Sequence, residues 1–352
     1  MASLQVTDIA DMLIATLPDF GELKFTDVMT NYQDTIAMKR VFKQHKMNFD
    51  SGEEIRFNLS TDHNHSARFL GLYATDIVNP TNTLTTGKVD WRHVNWNWAI
   101  DRREIAMNRT PRRVLEMAKM RRITALASAV VLFEQALWKV PATSDTTSIY
   151  GLPYYIVKSN TVTSTNDGFN GTVPSGYTLV ANINPTTYPQ YANYAAQYTA
   201  VTKDDLIRKL RRASWHTNFK PVVDQVQTYN TGDDYQYLSN YDTCAAIIEL
   251  LEAQNESLGA DIASFEGKAL FLRTPITVVK ELALDTTNPF YGVNWGVMKV
   301  MGLRGEWLNE SVVGMQPGQH TVAATHTDCT CNLYCTDRRR NFVLATDTTM
   351  PA

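Results

Sequence analysis

The sequence predicts an α+β fold, and three observations carry that expectation. Arg109 to Pro141 reads as one long helix. Glu54 to Leu59 and Val89 to Ile100 alternate apolar and polar residues with the period of a strand. Near the C-terminus, Cys329 to Cys335 alternates again, and a charged turn leads to a further apolar run, Phe342 to Ala345.

The helix follows Asp101-Arg102-Arg103-Glu104-Ile105 and opens with Thr110 before Pro111. A threonine N-cap and a proline at the first helical position form a start signal. No Gly or Pro follows until Pro141. From Pro111 to Trp138 the helix would run about 42 Å at ~1.5 Å per residue, well beyond the usual globular length. Its first half carries Arg112, Arg113, Lys119, Arg121 and Arg122, whereas Ala125 to Trp138 is almost wholly apolar. Leu126, Val130, Phe133 and Leu137 fall on one helical stripe, so the C-terminal half is expected to be buried and the start more polar.

The remaining elements follow in order. Residues 1–45 read as an arm, with a short amphipathic helix at Val6 to Leu17 ended by Pro18 and Gly21. So broken an apolar pattern buries little alone, and the arm is expected to pack on a neighbouring subunit. Within Val89 to Ile100 the phase slips, which predicts a bulge near Arg92-His93. With Glu54 to Leu59 and the Thr- and Asn-rich stretch between, this makes a two-stranded ribbon that needs a partner surface. Gly151 to Val157 reads as a strand start, and 158–199 as a long surface excursion. Thr202 to Trp215 is a helix capped by Thr202, with Asp204 and Asp205 in its first turn. Tyr241 to Asn255 is another, Ala269 to Val279 a strand pair broken at Pro275, and Asn294 to Leu303 a strand. Cys329 to Cys335 and Phe342 to Ala345 are expected to form a hairpin across Thr336 to Asn341. No internal repeat is evident.

A chain of 352 residues with 44% hydrophobic content can bury a sizeable core in two or three domains. The formal net charge of −3 provides no basic excess for coating a nucleic acid. No apolar run reaches the ~18 residues of a membrane span, and Met1 to Leu17 lacks a signal-peptide pattern. Four cysteines, three of them clustered, do not make a secreted disulfide framework, so the expectation is a soluble protein of a reducing cytoplasm. Phosphate-binding glycine loops and nucleophile elbows are missing. Cys329, Cys331 and Cys335 with His326 have poor zinc spacing and read as buried small residues. Asp62, His63 and His65 read as a solvated loop tip. Trp91, Trp96 and Trp98 with Arg92 and His93 could stack bases, but a ribbon face packed on a neighbour explains them better. Arg338 to Arg340 reads as a solvated or inter-subunit turn. No catalytic, cofactor-binding or metal-binding set emerges.

Several stretches, in order, carry a resemblance. They are Ser51 to Asn58 (SGEEIRFN), Trp91-Arg92-His93, Trp98 to Met117 (WAIDRREIAMNRTPRRVLEM), Gly151 to Val157 (GLPYYIV), Asn288 to Met301 (NPFYGVNWGVMKVM) and Thr336 to Thr346 (TDRRRNFVLAT). Together they span about half the chain. This set resembles the major capsid protein of tailed bacteriophages, the Hong Kong phage capsid fold shared with herpesvirus shells. The resemblance implies an L-shaped subunit: an N-terminal arm (1–45), an extended β-ribbon loop (46–100), a peripheral domain with a long spine helix (101–149), a mixed α/β axial domain (150–302) and a return to the peripheral domain (303–352). It further implies a homo-oligomer of hexamers and pentamers enclosing double-stranded DNA without sequence-specific binding. Scaffolding, portal and decoration proteins would be its partners, with assembly in the host cytoplasm into a virion and no membrane. Candidate inter-subunit contacts are Arg56, Phe57, Trp91, Arg92, Trp96, Trp98, Arg102, Arg103, Arg338, Arg339 and Arg340. The alternatives are a nanocompartment shell around a cargo enzyme and, in other classes, an enzyme or a nucleic-acid-binding module. Some relatives cross-link a loop lysine to a neighbour's asparagine. Lys88 is the sole loop candidate here, and with no partner signalled, no cross-link is expected.

Overall fold

The structure is a computed structural model that describes residues 35–42, 47–62, 67–73, 83–107, 111–158, 167–219, 234–255, 270–272, 274–311, 313–316 and 318–346. The expected helix at Val6 to Leu17, the Thr110 cap and the string from His63 to His65 lie outside the described residues. The helices are α1 (Ile36–Val41), α2 (Arg102–Met107), α3 (Pro111–Leu137), α4 (Leu152–Tyr155), α5 (Arg208–Thr217, entered through a π-turn at Lys203–Ile207) and α6 (Tyr241–Asn255). The strands are β1 (Met47–Asp50), β2 (Glu54–Ser60), β3 (Leu84–Asp90), β4 (Arg92–Asp101), β5 (Gly168–Gly171), β6 (Asn193–Gln197), β7 (Tyr235–Ser239), β8 (Leu270–Phe271), β9 (Thr274–Val278), β10 (Phe290–Asn294), β11 (Met298–Leu303), β12 (Asn309–Glu310), β13 (Gly314–Gln316), β14 (Gln319–Cys335) and β15 (Phe342–Ala345).

A first sheet is organised by β14. Its N-terminal part pairs antiparallel with β4, from Val322 opposite Asp101 to Cys331 opposite Arg92. Its C-terminal part pairs with β11, from Cys331 opposite Gly302 to Cys335 opposite Met298, and β1 adds parallel to β11. Cys329, Cys331, Leu333 and Cys335 share one face and are buried, as their alternation predicts; burial raises the Cys335 thiol. The opposite face, with Thr330, Asn332 and Tyr334, is buried too.

The ribbon is shorter than expected. It consists of β2 and β3, in register from Glu54 opposite Asp90 to Ser60 opposite Leu84. At Trp91 the chain turns into β4 and joins the other sheet. The phase slip therefore marks a change of sheet, not a bulge. Trp91 Nε1 pins the corner by donating to the Gly52 carbonyl at 2.9 Å. Nor does the ribbon lack cover. Ile55, Phe57 and Val89 are buried in the chain's own core, and the Phe57 ring lies 5.3 Å from that of Tyr334.

The second sheet runs β5-β6-β15-β10-β7-β9-β8. Every residue of β10 and β15 is buried, so neither strand shows alternation. Three expectations fail here. Cys329–Cys335 and Phe342–Ala345 are not a hairpin: β14 and β15 belong to different sheets, and the charged turn is the crossover between them. Residues 151–157 are not a strand; Pro153, with φ preset and no N–H to satisfy, opens the short helix α4 instead. A β-carbon on Gly151 would meet the α3-end carbonyl of Lys139 at 2.3 Å, so only glycine fits where α4 abuts α3. Within the described part of 158–199, residues 191–198 are almost all core rather than surface, and Tyr191 and Tyr198 bury their rings while still bonding their hydroxyls. Tyr191 donates to the Cys335 carbonyl at 3.0 Å and Tyr198 to that of Asn288 at 2.6 Å.

Helices α5 and α6 form where the sequence places them, and Thr202 Oγ1 accepts from Asp205 N at 3.2 Å as the expected cap. Helix α3 forms as expected, but its burial differs: Val114, Leu115 and Ala118 near its start are buried, while Leu126 faces solvent. No described helix is long and apolar enough to cross a membrane.

Candidate functional site

The arginine turn is a structural joint. Asp337 caps the short 3-10 turn Arg338–Arg340, accepting from Arg339 N at 3.0 Å. Arg338 then points inward and is fully buried. Its Nε donates to the Tyr155 carbonyl (2.7 Å), one terminal nitrogen to Thr172 and Tyr191 (both 2.8 Å), and the other to Gly171 (2.9 Å) and Asn193 Oδ1 (3.2 Å). The guanidinium also lies 5.3 Å from the Tyr191 ring centre. Burial pulls its pKa down, yet a guanidinium remains protonated in a protein. This one side chain ties α4, β5 and β6 to the crossover between the sheets. A β-carbon on Gly171 would sit 2.1 Å from Asn193 Oδ1, so glycine there keeps the cradle open.

Of the candidate contact residues, the interior takes several. Arg338 and Arg340 are buried, so their assignment to a surface turn is corrected. Arg339 stacks over Phe169 and Phe219, each 5.1 Å away. Arg92 is buried, bonding the Thr146 carbonyl and lying 5.5 Å from the Tyr150 ring centre. Phe57 is in the core, and Trp96 and Trp98 are half-buried on β4, packed in part against the chain's own clusters. The outward-facing members are Arg56, which pairs with Glu54 at 2.7 Å, and Arg102 and Arg103 on α2. Arg121 fixes α2 to α3 through a two-pronged contact with Glu104 at 2.7 and 2.9 Å, which holds that carboxyl below its usual range.

Among the described residues, sequence reasoning passed over the most exposed large apolar side chains. At the ribbon tip Phe69, Leu72 and Tyr73 are almost entirely solvent-exposed, and Leu70 largely so; Leu84, at the end of β3, adds to them. The run Phe69-Leu70-Gly71-Leu72-Tyr73 was a visible signal inside an otherwise polar loop. Large apolar side chains left in solvent over so short a run point to a contact surface. Lys88 is occupied by Glu54 at 2.9 Å on the ribbon's flank.

A cleft of about 630 Å³ lies between the end of α3 and the second sheet, lined by Trp138, Pro153, Lys158, Leu282 and Asp285 among others. In it Lys158 Nζ meets Asp285 Oδ2 and Thr287 Oγ1, both at 2.5 Å. Burial opposes ionisation of Asp285, but bonds from Lys158 and Thr287 outweigh it and lower its pKa. The pair closes on itself and gives the cleft a structural tie. Among the described residues no group of three or more His, Cys, Asp or Glu is placed to hold a metal.

No protein-family model and no curated protein matches the sequence. Solved structures do. The cyanophage A-1(L) capsid subunit is similar over 96% of this chain and 99% of its own, with 10% identity and a TM-score of 0.59. The capsid of a native GTA particle matches over 93% and 95%, at 11% identity and a TM-score of 0.53. The bacteriophage PhiM1 mature capsid matches over 94% and 93%, at 9% identity and a TM-score of 0.52. A joint of two sheets, a spine helix and a protruding ribbon, matched to these shells over nearly the full length, give the chain the fold of the tailed-phage major capsid proteins.

Proposed function

We propose that this chain is the structural shell subunit of a tailed-phage head, assembling with copies of itself into hexamers and pentamers around double-stranded DNA. One observation carries the reading: the ribbon's base is packed into its own body, while its tip presents Phe69, Leu70, Leu72 and Tyr73 to solvent. A tip of that kind gains stability when a second copy covers it, at ~25 cal/mol per Å² of apolar surface. In this reading the first sheet with α3 is the peripheral domain, the second sheet the axial domain, and β2–β3 with the tip the extended loop. Portal, scaffolding and decoration proteins would be its partners, and its role is architectural rather than enzymatic.

The test is expression of the full chain with its flanking genes, followed by sedimentation and electron microscopy of nuclease-treated material. Closed shells support the reading. A shell purified with a bound cargo enzyme would instead make the chain a nanocompartment.

A further inference from the structure

Helix α3 carries an apolar face that the described chain covers only in part. Met120, Ile123, Ala127, Val130 and Glu134 recur at i, i+3, i+7, i+10 and i+14, one side of a helix. At the C-terminal end of this face lies α1. Ala37 N and Met38 N donate to the two Glu134 carboxylate oxygens at 3.2 and 2.8 Å, Trp138 Nε1 adds a third bond at 2.8 Å, and the Phe42 ring packs 5.1 Å from Phe133. Toward the N-terminus the face is only about half covered: Met120 is 46% exposed, Ile123 39%, and Leu126 on its border 51%.

The route of the chain points to the occupant. Glu134 holds the N–H groups of the first turn of α1, so Thr35 lies at the Glu134 end of the face, about two turns from the exposed Leu126 and Ala127. In the sequence upstream of Thr35, Val6, Ile9, Ala10, Leu13, Ile14 and Leu17 fall at i, i+3, i+4, i+7, i+8 and i+11, an apolar stripe with Asp8 and Asp11 opposite. Twelve residues at ~1.5 Å each make a stripe of about 18 Å, against about 15 Å from Met120 to Val130. Residues 18–34 can span well over the ~21 Å from Glu134 back to Met120, since an extended chain covers ~3.3 Å per residue. Ile36, Ala37 and Val41 already pack on the chain's own core, which contradicts an arm wholly committed to a neighbour.

We infer that residues 6–17 dock on α3 of the same chain, over Met120, Ile123, Leu126 and Ala127, extending the contact that α1 begins. The arm then closes the spine helix of its own subunit, whatever the shell encloses.

Cysteine pairing in the full chain tests this, since the native cysteines are all buried. Ile9→Cys with Ile123→Cys, treated with a short bis-maleimide, is expected to cross-link within one chain. Asp8→Cys with Ile123→Cys, on the opposite face of the stripe, is expected to react far less. Equal yields, or links mainly between chains, would overturn the inference; the latter would assign the face to a second copy. Hydrogen exchange provides an independent reading. In an Ile9→Asp, Leu13→Asp chain, amides of 120–130 should exchange on the order of ten-fold faster than in the parent, with β14 unchanged. Identical exchange in the two chains would sink the proposal.

Discussion

Arg338 holds a positive charge inside the subunit by surrounding it with oxygen dipoles rather than with a carboxylate. Lysine, with one nitrogen and three donors, cannot reproduce a five-donor fork. Arg338→Lys is therefore expected to lose about 3–5 kcal/mol of stability in urea unfolding, leaving several buried carbonyls unpaired. A loss under ~1 kcal/mol would show that the cradle is incidental. Asp205 makes a pH prediction. Burial opposes its ionisation, yet Lys209, Thr199 and Ala200 bond the carboxylate and bring its pKa down to about 2, from an ordinary 3.8. The folded form thus binds its proton less readily than the unfolded one, so the stabilisation is complete above pH 3.8 and disappears as pH falls toward 2. Asp205→Asn should be less stable than the parent at pH 6, with the gap closing near pH 2. The sequence marked Asp205 as a first-turn acid and Thr202 as a cap, because capping is local. It did not mark Arg338, since the same Arg-Arg-Arg suits a solvated turn, and only the arrival of Tyr155, Gly171 and Tyr191 from distant segments decides otherwise.

At the scale of elements, what was legible was whatever is periodic or punctuated. The spine helix, α5, α6 and the inward thiols of β14 follow from spacing alone. Sheet membership does not. Val89 to Ile100 shows a slip, but a bulge and a change of sheet leave the same trace, and the β4–β14 register separates them only in three dimensions. Likewise a strand buried on both faces, such as β15, does not reveal which sheet it enters. These corrections alter what substitutions should do. Phe57→Ala removes a core side chain and is expected to destabilise the isolated subunit by about 3–5 kcal/mol. Trp96→Ala should likewise act on folding, since that ring packs on the chain's own core. A Phe69→Ser, Leu72→Ser chain should instead melt with the parent, because both side chains lie in solvent, yet fail to form particles in sedimentation. Normal particle yield from that double variant would remove the tip from the interface.

Over the whole molecule, a net charge of −3 and an arm start bearing Asp8 and Asp11 but no Lys or Arg imply, under the proposed function, a shell that forms around no nucleic acid. On that same proposal, DNA would be loaded afterwards through a separate portal. Assembly should persist in ~0.5 M salt, where phosphate contacts are screened, and no covalent ladder should appear on a boiled denaturing gel. The resemblance that pointed to a shell came from short ordered stretches, several of which prove to be joints: the Gly151 abutment, the Trp91 corner and the Arg338 cradle. Such positions are fixed by geometry within the chain, whereas the apolar side chains of the tip lie in solvent. The most direct measurement is electron microscopy of nuclease-treated material from cells expressing the full chain with its flanking genes. Closed icosahedral shells, each ribbon tip seated on an adjacent subunit, are the predicted result. A folded chain that stays monomeric at every concentration and salt, even beside those partners, would contradict the account.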